Sequence, residues 1–297
     1  MVGDRRYALI TPARDELENL RRLAPCVIWQ AAAPAAWVIV DDGSSDGTAA
    51  LAAELARIHP WIRLVPAPSR EGVIEDGRRA GRDVAAFHAG LAALPELPEF
   101  VVKLDADVSM DWRYFAQLLA AFDAEPTLGI AGGTCLEYDG TGWRPWYVTD
   151  GHVRGATRVW RRACLEQVLP LEERLGWDGV DELKAATLGW RTRSLREPVF
   201  YHHRAFAARE RGARWRAWAA TGETAHYLGS RTSYVFLRTF HHARRERAAL
   251  GLFWGYVTAA ARREPRYADE AVTAYLRRRQ RLRHLPLRLR DVLGGPI

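Results

Sequence analysis

Cysteine is scarce in this chain of 297 residues, which carries only Cys26, Cys135 and Cys164. An odd number at no metal-like spacing argues against a disulfide framework and against a zinc site, and it suits a reducing cytoplasm. Long apolar runs are missing too. The longest, Ala248 to Ala261, is interrupted by glycines and falls short of the roughly 20 residues a membrane-spanning helix needs. The N-terminus enters a short apolar run that stops at Thr11 and Pro12, without the h-region or small-residue cleavage site of a signal peptide, so no secretion is expected. Lysine is absent after residue 200, and acids thin out there. Residues 201–297 hold 20 Arg against 7 acidic residues, net +13, whereas residues 1–200 are net −6. Such asymmetry speaks to partners rather than to fold. No internal repeat is visible.

What is present is an ordinary soluble composition, 48% hydrophobic, long enough for one large domain or a domain with an extension. Strand-like runs fall at Tyr7 to Thr11, Trp37 to Asp41, Ile62 to Val65, Phe100 to Leu104 and about Gly129 to Leu136, with a later one at Arg193 to Phe200. Segments of helical periodicity at 15–31, 46–58 and 78–93 separate the first four strands. This alternation predicts an α/β fold, a mainly parallel sheet flanked by helices. After residue 200 the pattern turns helical, from Ala213 to His226, Tyr234 to Ala260 and Ala268 to Leu285, punctuated by Gly212, Gly229 and Pro265. The expected division is a catalytic domain at 1–200 and a basic, aromatic-rich helical extension at 201–297.

The most informative residues are Asp105, Ala106 and Asp107, at the end of the buried run from Phe100. In an extended chain side chains alternate, so positions 105 and 107 point to the same side and can share one divalent cation such as Mg²⁺ or Mn²⁺. A plain strand-end turn also favours Asp, for its local hydrogen bonds. A second acidic strand end follows Val38, where Asp41, Asp42, Gly43, Ser44, Ser45 and Asp46 lead into a helix. Ligands of open α/β sheets bind at the carboxyl ends of strands, and a well-capped turn is the simpler alternative.

Three such strand ends in register, Thr11 to Glu16, Val40 to Thr48 and Leu104 to Asp107, resemble the nucleotide-sugar-binding half of family 2 glycosyltransferases of GT-A fold, over about residues 5–200. The resemblance implies a sugar transfer from a nucleotide-sugar donor to a hydroxyl acceptor, with inversion. It implies that Pro12, Ala13, Arg14, Glu16, Asp41, Asp42, Gly43 and Ser44 surround the nucleoside. Asp105, Ala106 and Asp107 would hold a Mg²⁺ or Mn²⁺ ion on the diphosphate. It also implies a general base at the start of a later helix, before a Gly-aromatic turn and another strand. The stretch Gly176 to Lys184, running toward Gly189 and Trp190, fits that layout, although Trp177 and Asp178 stand where a Glu-Asp pair is common. Counting back from Gly189, Asp178 falls nearest the base position, Asp181 second and Glu182 third. Asp181 and Glu182 are equally readable as favourable acids of a first helical turn. Further contacts are offered by His203, as a metal ligand beside His202, and by Arg204, Arg79 and Arg82 toward phosphate. Surface placement is the alternative for each.

The C-terminal helices interleave Arg with aromatics such as Trp215, Trp218, Phe236, Phe240 and Trp254. They fit either a peripheral membrane contact, as an enzyme acting on a lipid-linked glycan for surface polysaccharide or glycolipid would make, or helices packed on the protein with Arg left in water. Nucleic acid is not favoured: no zinc, helix-turn-helix or RNA-recognition signature accompanies Arg247 or Arg277, Arg278 and Arg279. Two rival functions are a sugar nucleotidyltransferase, whose Gly-rich triphosphate loop is missing near Thr11 to Glu16, and a non-catalytic nucleotide- or membrane-binding scaffold.

Overall fold

Branched and aromatic residues in unbroken apolar runs suit strands buried on both faces, and the first half of the chain is built from them. The structure, a computed structural model, describes residues 6–68, 81–138, 140–145, 151–203 and 212–281. Strands β1 (Tyr7–Ala13), β2 (Ala36–Asp41), β3 (Ile62–Pro66) and β4 (Phe100–Leu104) alternate with helices α1 (Leu17–Ile28), α2 (Thr48–Ile58) and α3 (Arg82–Ala92). The four strands pair in parallel in the order β3-β2-β1-β4, with Ile10 opposite both Val38 and Lys103. Their carboxyl ends therefore lie along one edge, which is where ligands meet such sheets.

The sheet continues as a mixed one through β5 (Val108–Met110), β6 (Leu128–Tyr138), β7 (Trp143–Pro145), β8 (Thr157–Arg161) and β9 (Arg191–His202), in the order β4-β8-β6-β9-β5, with β7 on β6. Here β8 runs antiparallel to β4 and β6, β9 is parallel to β6, and β5 is antiparallel to β9. Helices α4 (Tyr114–Ala124), α5 (Arg162–Val168) and α6 (Trp177–Thr187) complete this unit. Alternate residues of one strand serve opposite layers. Leu9, Ile39 and Val102 join Leu20, Leu23, Phe115 and Phe122 on one face, whereas Ile10, Val38 and Val101 join Phe87, Trp160 and Leu165 on the other. Each such side chain, fully buried, contributes about 1.5–3 kcal/mol.

The chain divides into two compact units, Met1–Ala205 and Phe206–Ile297. The second contains α7 (Ala213–Tyr227), α8 (Thr232–Ala243), a 3₁₀ turn at Arg247–Ala249, α9 (Leu250–Ala261) and α10 (Glu270–Arg279). Periodicity alone reads Tyr234 to Ala260 as one helical segment, yet the chain turns at 244–249. The turn lets Val235 of α8 meet Leu252 and Tyr256 of α9 around Ala225, burying apolar surface that one straight helix would leave in water. Positions 282–285 of the third expected helix lie outside the described residues. Among the described residues no helix is long and apolar enough to cross a membrane.

The glycines that interrupt the apolar run serve helix packing. A Cβ on Gly255 would fall 2.0 Å from the Ala219 carbonyl oxygen, and one on Gly222 2.0 Å from that of Leu252, so α7 and α9 touch backbone to backbone. A Gly255→Ala variant is expected to lose about 1–3 kcal/mol of stability, because backbone must move apart to admit the methyl group. Urea unfolding followed by tryptophan fluorescence measures this.

Candidate active site

The loops after β1 and β2 are laced to each other. The Asp15 carboxylate accepts from the Ser45 amide (2.7 Å) and hydroxyl (3.1 Å), and the Asp15 amide donates to Ser44 Oγ (3.0 Å). The Glu16 amide donates to Thr48 Oγ1, and that of Leu17 to Asp46. Hydrogen bonds from the Thr48 hydroxyl and the Leu17 amide hold the exposed Asp46 carboxyl below its ordinary range. At the end of β2, Asp41 accepts from the Ser44 amide at 3.3 and 3.4 Å. Pro12, Glu16, Asp41, Asp42 and Ser44 are half-buried, Ala13 is buried, and Arg14 and Gly43 are exposed. Asp42 pairs with Arg82 at the start of α3 and lies 4.0 Å from Arg14. Arg79 and Arg204 lie outside the described residues.

Residues 105–107 form a turn between β4 and β5, not an extended segment. Strand alternation therefore does not orient Asp105 and Asp107. Their partners do. Asp105 Oδ1 meets Lys103 Nζ at 2.5 Å, and the same ammonium lies 3.3 Å from Asp83. Lys103 is fully buried, which alone would lower its pKa, but Asp105 and Asp83 outweigh that and raise it. Asp107 is 7% exposed, Ala106 is buried beside it, and the Asp107 Oδ2 lies 3.3 Å from His202 Nε2.

Strand register explains this meeting. His202 ends β9, opposite Val108 of β5 on one side and Glu137 of β6 on the other. Its Nδ1 lies 3.3 Å from Glu137 Oε1, which also meets Arg154 at 2.8 Å. Burial lowers the His202 pKa, but its bonds to Asp107 and Glu137 prevail and push it up to about 9. The histidine expected to reach the metal was His203. Its ring instead bonds Ser109 Oγ at 2.8 Å and packs edge-on to Trp143, and desolvation lowers its pKa.

The helix carrying the expected base separates its three acids. Asp181 is 1% exposed and takes Arg158 at two oxygens, 2.8 and 3.1 Å, with the Trp160 indole at 2.8 Å. Burial pushes the Asp181 carboxyl up to about 7, against the pull of Arg158. Glu182 accepts from Arg158 (2.7 Å), the Val153 amide (2.8 Å) and the ring of His152 (2.9 Å). Asp178 is the most open, its side chain 27% exposed, with His152 Nε2 at 4.0 Å. His152 has its pKa raised: burial works against the charge, and Glu182 and Asp178 more than compensate. The carboxylate of Asp181 is thus turned inward to structure, whereas that of Asp178 is left toward solvent.

Lys103, Glu137, His152 and Arg158 carry much of this geometry without having been singled out from sequence. Lys103 inside Phe100 to Leu104 and Arg158 inside Thr157 to Arg161 did carry a signal, because a charge within a buried strand requires a partner. Trp177, the residue standing where an acid is common, packs under both cations: Lys103 Nζ and Arg158 Cζ each lie 5.4 Å from its ring centroid.

A mixed sheet whose parallel strands end in laced acidic loops, followed by a strand-end Asp-x-Asp turn, is the architecture of a GT-A glycosyltransferase. The fold is similar to that of the mannosyltransferase PcManGT from Pyrobaculum calidifontis, solved with GDP-Man and Mn²⁺: 18% identity, TM-score 0.56, covering 97% of this chain and 84% of that one. It is also similar to S. aureus TarS 1–349 in complex with UDP, at 15% identity and TM-score 0.54, covering 89% and 93%. Against a longer TarS structure the match is 17% identical with TM-score 0.50 and spans 74% of this chain but 40% of that one. The model of glycosyl transferase family 2 matches residues 8–168, more than half of the sequence, and the chain belongs to that family. It is a glycosyltransferase.

Two outcomes follow from this geometry. Asp181→Ala takes the two-oxygen partner from the buried Arg158 guanidinium, leaves it Glu182 as its one carboxylate, and is expected to cost about 3 kcal/mol of stability, whereas Asp178→Ala leaves stability within about 0.5 kcal/mol, as urea denaturation will report. The proton on His202 stabilises the metal-free fold fully below pH 6.5, its unshifted value, and that contribution vanishes as pH rises through about 9. With chelator present, the stability difference between wild type and His202→Gln should therefore shrink between those two pH values.

Proposed function

We propose that this glycosyltransferase moves a sugar from a nucleotide-sugar donor to a hydroxyl acceptor, with inversion, and that it uses Mg²⁺ or Mn²⁺. The observation that carries the metal assignment is the convergence of Asp107, Glu137 and His202 next to the end of β4. Ligand atoms of Cys135, Glu137 and His202 lie within 4.8 Å of one another. Burial pushes the Cys135 thiol up to about 12, so it stays protonated and is a poor ligand. What remains is carboxylate oxygen with one imidazole, a donor set that fits Mn²⁺ or Mg²⁺ better than a thiolate-seeking ion. A cation held by Asp105, Asp107 and His202 would neutralise charge on the departing diphosphate. The similar mannosyltransferase solved with GDP-Man and Mn²⁺ supports the reading.

The nucleoside is assigned to the laced loops, with Pro12, Ala13, Arg14, Glu16, Asp41, Asp42, Gly43 and Ser44 around it. Carboxylates there accept from base N–H or ribose hydroxyls. Arg82, paired with Asp42, stands ready for a phosphate oxygen. Asp178 is the proposed base, taking the acceptor hydroxyl proton as that oxygen attacks the anomeric carbon opposite the leaving diphosphate. Glu182 orients His152 beside it, and Asp181 anchors the helix. We further place the work in surface polysaccharide or glycolipid synthesis, on the cytoplasmic side of a membrane with a lipid-linked acceptor. The support is the second unit's net positive charge together with its exposed Phe236, Phe240, Trp254 and Val257.

The test is a thermal-shift series with nucleotide sugars, with and without Mn²⁺, run beside turnover assays. Wild type should show a metal-dependent rise in Tm with one donor. Asp105→Ala should lose that rise and turnover together. Asp178→Ala should keep the rise while kcat drops about 10²–10⁴-fold. Normal turnover in either variant would refute the assignment of that residue.

A further inference from the structure

The second unit holds an open cavity of about 540 Å³ walled by α10, the α7–α8 turn and the α9–α10 connection. Five arginines from these three segments line it: Arg231, Arg266, Arg277, Arg278 and Arg281, with Glu270 the one carboxylate among the lining residues. Among the described residues, none of the five forms an ion pair with a carboxylate. Arg277 and Arg278 sit in the last turn of α10 and Arg281 just beyond it, where the helix dipole favours cations. That explanation does not extend to Arg231, which precedes α8, or to Arg266, in the loop before α10. Five like charges brought from separate segments around one space make a positive field there, which attracts an anion.

The wall is also fixed in place before any ligand arrives. Gln280 is buried; its Oε1 accepts from the Arg231 amide (2.7 Å) and its Nε2 donates to Ser230 Oγ (3.1 Å). Arg231 Nε donates to the Arg277 carbonyl at 2.8 Å, which holds the Arg231 side chain against the end of α10 at the cavity rim. The Tyr267 amide donates to the Tyr227 carbonyl at 2.7 Å, fastening the other side. Gly229 has φ +69°, and a Cβ there would fall 2.9 Å from Thr273 Cγ2, so this turn admits α10 only as glycine. Backbone fixed in this way sets the positions from which guanidinium groups can fork onto an oxyanion.

We infer that this cavity binds a phosphoryl or diphosphate group, carried either on an anionic lipid headgroup or on a soluble phosphate ester. The site lies wholly within the second unit and does not rest on the assignment of the donor site.

The experiment compares the full chain with Arg278→Ala/Arg281→Ala and, from another segment, Arg266→Ala. Isothermal titration with inorganic pyrophosphate, in chelator, is set beside cosedimentation with phosphatidylcholine vesicles with and without phosphatidylglycerol. Any pyrophosphate taken up by the first unit is common to all three proteins, so the reading is the part the substitutions remove. Unchanged thermal midpoints establish that the variants are folded, and the exposed loop residue Arg266 serves alone if the double variant is not. A loss of about tenfold or more in pyrophosphate affinity identifies a soluble phosphate ester as the ligand class. A loss confined to the phosphatidylglycerol vesicles identifies a lipid headgroup. Wild-type behaviour of the folded variants toward both probes would overturn the inference.

Discussion

Two buried cations facing each other across neighbouring strands set the terms for the first unit. Lys103 of β4 and Arg158 of β8 are register partners, each about fully buried, and like charges placed so are costly. Each is offset by its own acids, Lys103 by Asp105 and Asp83, Arg158 by Asp181 and Glu182, and both rest on the ring of Trp177. The consequence is geometric. The acid that follows β4 and the acids that open α6 are held by one shared core of charge, so neither group can shift without taking a partner from a buried cation. Trp177 thus has a structural task in this arrangement, packing against both cations.

That constraint sorts the carboxylates by task. Those that face the buried cations are committed to structure, Asp181 most completely. Those that lie outward, Asp178 and the strand-end acids of β2, remain available to a ligand, and Asp105 stands between the two sets, its Oδ1 on Lys103 and its side chain 23% exposed. A third grouping, Asp107 with Glu137 and His202, depends on the order β6-β9-β5 instead of on the cations, because β9 delivers His202 between its two acidic neighbours. In the absence of metal a proton on His202 provides the positive charge those acids require.

Much of this was legible in the sequence where the information is local. The run Phe100 to Leu104 is a strand with those bounds, and the acidic segments after β1, β2 and β4, the second of them bearing Gly43 and Gly47, stand at strand ends as their chemistry implies. Legibility failed where partners are distant. Which of His202 and His203 turns toward Asp107 is set by pairing with Val108 and Glu137, residues 94 and 65 positions away for the contacts that fix each ring. The choice among Asp178, Asp181 and Glu182 depends on Arg158, which the chain supplies from β8. In the second unit, helical periodicity ran through 244–249 because a turn made of Arg, Glu and Ala carries no proline or glycine to mark it.

The most direct test of the metal-assisted donor site is anomalous scattering from Mn²⁺ in crystals grown with a nucleoside diphosphate. The account requires one peak bonded to Asp107 and to His202 Nε2 and touching the diphosphate, with His203 still on Ser109. A diphosphate bound in the cleft with no such peak, or a peak held by other residues, would contradict it.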